Sequence, residues 1–128
     1  MSYFFAKTVD GTAEDAIARV KTALAAKGFG VLSEIDVAAT LKAKLGFDMA
    51  PYVILGACNP QYAHRALQIE PRIGTMLPCN VIVRELSPGK VEIAAIDPVA
   101  SMQAVENEGL AAVAGPVRTM LQDVVTAL

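Results

Sequence analysis

The run Tyr52-Val53-Ile54-Leu55-Gly56-Ala57-Cys58 constrains this chain more than any other stretch. Seven apolar positions in a row are too few for a typical helix. Without a polar alternation they read as a strand buried on both faces. Asn59-Pro60 follows at once and makes an efficient helix start, because the Asn side chain accepts a backbone N–H and proline sits well at the first helical position. That helix is expected to carry Ala63, Ala66 and Leu67 inward and to end before Pro71.

The other elements follow from local signals. Tyr3 to Val9 reads as a strand ended by Asp10-Gly11, a strong turn signal. Thr12 then caps a helix with Ala13, Ile17, Val20 and Leu24 at helical spacing, closed by Lys27-Gly28. The stretch from Phe29 is extended by propensity, with Val31, Ser33 and Ile35 expected on one face and Leu32, Glu34 and Asp36 on the other. Asp36 caps a short surface helix bearing Val37, Leu41 and Leu45, with Gly46 just past its end. Strands over Asn80 to Leu86 and Lys90 to Asp97 flank Ser87-Pro88-Gly89, a compact hairpin loop, and so pair antiparallel. After Asp97-Pro98 the chain turns helical, and Leu110, Val113, Val117, Leu121, Val124 and Leu128 form one apolar stripe, for core or dimer interface. Gly115-Pro116 falls inside that helix and predicts a kink or a restart at Pro116.

The order β-α-β, short α, β-α-β-β-α predicts an α+β domain over residues 1–128, a mostly antiparallel five-stranded sheet with helices on one face. Of its 128 residues, 54% are hydrophobic but only 5% aromatic, with no Trp, so the surplus is aliphatic. A domain this size has limited interior for such side chains, which leaves room for an apolar surface patch and predicts a homodimer. No apolar run approaches the ~20 residues of a membrane span, and the start Met1-Ser2-Tyr3-Phe4-Phe5-Ala6-Lys7 lacks the regions of a signal peptide, so a soluble cytoplasmic protein is expected. Eleven basic against thirteen acidic residues give a net charge of −2 with no basic cluster. That argues against nucleic acid and anionic membranes as partners.

Candidate chemistry is sparse. There is no Gly-rich phosphate loop, nucleophile elbow or zincin motif, and the lone His64 excludes any site needing two histidines from one chain. No catalytic motif is recognised, so enzymatic activity and any cofactor stay open. Two Cys-Asn pairs remain, Cys58-Asn59 and Cys79-Asn80. Cys58 stands at a helix entrance, where the backbone N–H groups favour a thiolate. If the two strands are neighbours, both thiols and His64 would converge as soft ligands for zinc or copper, although no C-x₂₋₄-C pair exists. The plainer reading is two buried thiols, a cap at Asn59, a turn residue at Asn80, and His64 on the solvent side of its helix. Glu34 and Asp36, two positions apart, are candidate acid and base, or exposed carboxylates beside a helix N-terminus.

Four blocks in this order, GVLSEIDVAATLKAKLG from Gly30, YVILGACNP from Tyr52 with AHRAL behind it, LPCNVIV from Leu77 and AIDPVASM from Ala95, resemble the bacterial and archaeal domain-of-unknown-function 302 family. The resemblance covers nearly the whole chain. It implies a TATA-binding-protein-like β-α-β₄-α layout with a curved antiparallel sheet, and it implies no activity. The matching positions are Glu34, Asp36, Cys58, Asn59, Pro60, Pro78, Cys79, Asn80, Asp97 and Pro98, while Gly115-Pro116 departs from the family's uninterrupted last helix. The expected function is a self-associating module with a small-ligand pocket near the Cys-Asn pairs. Its rival is a redox or soft-metal protein using Cys58 and Cys79.

Overall fold

The computed structural model describes residues 2–128. Five strands, β1 (Phe4–Asp10), β2 (Gly30–Asp36), β3 (Tyr52–Cys58), β4 (Cys79–Ser87) and β5 (Lys90–Ile96), form one sheet in the order β1-β5-β4-β3-β2, every neighbour antiparallel. The helices are α1 (Ala13–Ala26), α2 (Val37–Leu45), α3 (Pro60–Ile69), α4 (Pro98–Ser101) and α5 (Ala111–Thr126), with a 3₁₀ segment over Pro71–Met76. The fold is α+β. The strands β1 and β2 that flank α1 are the two edges of the sheet, not neighbours, so α1 lies across its face in contact with β5, β4 and β2.

Local chemistry accounts for the boundaries. Thr12 caps α1 by accepting the Asp15 N–H at 3.1 Å, and Asp36 caps α2 by accepting the Ala39 N–H at 2.9 Å. Gly46 ends α2 at φ 65°, the left-handed cap that glycine adopts without strain. Helix α2 buries none of its residues and so lies on the surface. Helix α5 runs unbroken through Pro116 instead of restarting there. Pro116 stands in its second turn and forfeits only the bond its N–H would give the Ala112 carbonyl, while the buried Val113, Val117 and Leu121 hold both halves to the core.

The main core lies between the sheet and the two long helices: Val20 and Leu24 of α1 and Leu121 and Val124 of α5 meet Leu55, Val81, Val83, Val91 and Ile93. The α5 stripe is thus spent inside the molecule and offers no dimer interface. A second, smaller cluster of Ala66, Ile73, Leu110 and Val113 lies under α3 and the 3₁₀ segment. In α3 it is Tyr62 and Ala66 that pack inward, whereas Leu67 is 42% exposed, a correction to the inward position expected for it. One further residue, 100° round the helix, carries it past the edge of the buried stripe.

Two departures in the sheet matter for the site. First, β2 is bulged at Leu32: Val31 pairs with Ala57 and Ser33 with the next residue, Gly56. Val31 therefore shares the helix-covered face with Glu34 and Asp36, while Ser33 and Ile35 take the other, and Leu32 is 70% exposed. Secondly, β3 is not buried on both faces. Val53, Leu55 and Ala57 are buried, but Tyr52 and Ile54 on the opposite face are only half-buried. That opposite face carries no helix.

Candidate functional site

The sequence places Cys58 and Cys79 at the boundaries of β3 and β4, and the register brings those boundaries together. Cys79 lies directly opposite Ala57, so Cys58 is one residue along the neighbouring strand. Both thiols are free, and both line one small cavity at the seam between the two hydrophobic clusters, walled by Phe29, Tyr62, Ala66, Met102 and Val113 among others. Its volume is about 30 Å³. That is room for one or two water molecules, whereas small-molecule pockets run to ~300 Å³ and above. The space that the thiols line is therefore smaller than a small-molecule pocket.

The two asparagines diverge. Asn59 precedes α3 but makes no side-chain cap; its Nδ2 donates to the Lys27 carbonyl at 3.3 Å and so ties the end of α1 to the β3–α3 junction. The cap expected of Asn59 is thus replaced by a tether, since the α1 terminus supplies an unpaired carbonyl. Asn80 is a residue of β4 and not of a turn, paired with Gly56 and exposed on the uncovered face. His64 is exposed on α3, its Nε2 3.3 Å from Gln68 Nε2, and does not line the cavity. Among the described residues no three His, Cys, Asp or Glu side chains approach closely enough to hold a metal ion.

Burial sets the character of Cys79. Removal from water pushes its thiol up to about 11, and the neighbouring Cys58 adds to the shift. At pH 8 only about one Cys79 in a thousand is then a thiolate, and the thiolate is the nucleophile. Labelling of folded protein with an alkylating reagent, read site by site by mass spectrometry, is expected to modify Cys79 at least about a hundredfold more slowly than in denaturant. Rapid modification of Cys79 in the folded chain would contradict this burial.

The carboxylates each have a structural partner. Glu34 accepts from Lys21 Nζ at 3.0 Å, both side chains nearly half exposed, and Asp36 is the α2 cap. Both border a broad open depression beside α1. Asp97 differs: at 7% exposure it is the buried charged side chain among the described residues. Its Oδ1 accepts the Val99 N–H and its Oδ2 accepts Arg118 Nε, each at 3.0 Å. Its backbone N–H also donates to the Tyr3 carbonyl at 2.8 Å. Asp97 thus joins the start of β1 to α4 and α5. Sequence reading missed Arg118, which is 21 residues away and has no local motif.

Two roomier spaces than the thiol cavity lie on the uncovered sheet face. A hollow of about 390 Å³ runs over Ile82, Ala94 and Ile96, between Tyr3 and Phe4 on one side and Tyr52 on the other, with the paired Arg84 and Glu92 in its wall. An adjoining hollow of about 290 Å³ is lined by Thr75, Met76, Pro78, Ser101 and Met102, and shares Asn80 and Ile96 with the first. Together they make a trough that reaches the second Cys-Asn pair from outside. No described helix is long and apolar enough to cross a membrane.

A family model described as "Domain of unknown function DUF302" matches residues 5–128. Among solved structures the chain is similar to an uncharacterized conserved protein DUF302 from Bacillus stearothermophilus, with a TM-score of 0.90 and 28% identity over 98% of each chain. No curated protein matches.

Proposed function

Because the chain belongs to the DUF302 family, whose description carries no activity, we propose from its own geometry that it is a self-associating binding module for a small, mostly apolar molecule. The observation that carries this reading is the helix-free face of the sheet. It holds Phe4, Ile35, Ile54, Ile82 and Ile96, with Phe4 40% and Ile35 48% exposed. A contiguous apolar surface left bare on a small domain is a binding surface more often than an accident of composition. The trough on that face is of ligand size, its floor is apolar, and Asn80, Ser101 and Thr75 supply the few polar groups that orient a bound molecule.

The occupant of the face around the trough is a second copy of the chain, which would roof the trough and cover the aliphatic surplus. Thiol or metal chemistry has less support, since Cys79 is protonated and buried and His64 lies elsewhere. Native mass spectrometry of protein purified from its own host is expected to give a dimer that retains a small molecule. The variant Ile82→Glu, which places a charge in the trough floor, is expected to be a folded monomer without the added mass. A monomer of unmodified protein at micromolar concentration, or an Ile82→Glu dimer, would overturn the reading.

A further inference from the structure

We infer that the groove around Arg118, which meets the trough only at Phe4, is a binding site for a monocarboxylate with an aliphatic tail. Arg118 is held on two sides. Its Nε donates to the buried Asp97 carboxylate at 3.0 Å, and its guanidinium carbon lies 5.3 Å from the centroid of the Phe5 ring. These contacts fix the plane of the guanidinium and use one edge of it. The two Nη groups donate to nothing among the described residues, and the side chain remains 43% exposed. A planar cation already oriented, with a free pair of N–H groups, presents the fork that matches a carboxylate through two parallel hydrogen bonds.

The surroundings narrow the class. The groove holds about 580 Å³ and is bordered by Phe4, Phe5, Val99 and Gln103 beside Arg118 and Asp97. Phe4 and Val99 are 40% and 36% exposed, which offers apolar contact to a hydrocarbon tail. Among the described residues, Asp97 and Arg118 are the charged ones that line it, and they offset one another. A dianion such as phosphate would therefore face a site without net positive charge. A single carboxylate asks only for the unused edge of the guanidinium. Asp97 and Phe5 act here as positioning residues, and the Nη pair is the group that touches the ligand.

The test is a nuclear magnetic resonance titration of the full chain with hexanoate, hexanamide and inorganic phosphate as probes. Hexanoate is expected to bind in the millimolar range, the scale for a ligand of so few atoms, and to shift the Phe5, Val99 and Gln103 amides to saturation. Hexanamide and phosphate are expected to bind at least about tenfold more weakly. Arg118→Lys keeps a cation opposite Asp97 but lacks the fork, and is expected to lose about tenfold in hexanoate affinity at an unchanged melting temperature. Equal binding of hexanamide or phosphate, no saturable shift, or full affinity in Arg118→Lys would overturn the inference. Shifts at Tyr52 and Ile82 in place of Val99 and Gln103 would do so as well, while leaving the trough reading intact.

Discussion

Gly56→Ala is expected to destabilise the fold by an amount near the upper end of the 1–3 kcal/mol typical of overpacking. Gly56 lies in the middle of β3 on the helix-free face, where a Cβ would clash with Ser33 Oγ and stand 2.7 Å from Pro78 Cγ. The Ser33 hydroxyl can turn away. The Pro78 ring cannot, because it is fused to the backbone one residue before Cys79, at the start of β4. Added methyl bulk therefore pushes on the backbone that shapes both the thiol cavity and the trough. The gain alanine brings by restricting the unfolded chain, about 0.4–1 kcal/mol, offsets only part of this. Denaturant unfolding measures the loss, and faster labelling of Cys79 in the same variant would report the displaced Pro78. A Gly56→Ala protein as stable as the parent would mean that Pro78 yields freely.

Alkaline pH is expected to weaken the protein through Cys79. Below about pH 9 the thiol is protonated in both states, so it contributes no slope. Between 9 and about 11 the unfolded chain releases this proton while the buried thiol keeps it. The unfolded state then binds fewer protons, and stability falls as pH rises, by roughly 1.4 kcal/mol per pH unit and about 2–3 kcal/mol in all. Lysines and tyrosines also titrate here, so the diagnostic quantity is the difference between the parent and Cys79→Ala. The variant should lose less stability between pH 9 and 11 by about that amount, since both proteins share every other group. Parallel curves would assign the alkaline loss to those other groups.

Much of the architecture was legible along the chain. The two β4–β5 strands, the caps at Thr12 and Asp36, the Pro60 helix start and the α5 stripe all rest on interactions between residues within a few positions of one another. The bulge at Leu32 was not legible, because alternation in a sequence cannot show that a partner strand has one residue fewer. The same holds for Leu67, whose exposure depends on how α3 is rotated against Ile73 and Leu110. Asn59 was read as a local cap, but its partner lies 32 residues away at Lys27.

The candidate site divides along the same line. The sequence by itself picked out Cys58, Asn59, Cys79, Asn80 and Asp97, and settled that the first four stand at strand boundaries. Only the tertiary structure decided that the thiols share a cavity smaller than a small-molecule pocket, that Asn80 faces the other side of the sheet, and that Asp97 is buried against Arg118. It alone decided that YVILGAC has a bare face. Hydrophobicity along a strand states what each residue avoids, but whether a helix arrives to cover it depends on strand order and crossover, which are set by packing among residues distant in the chain.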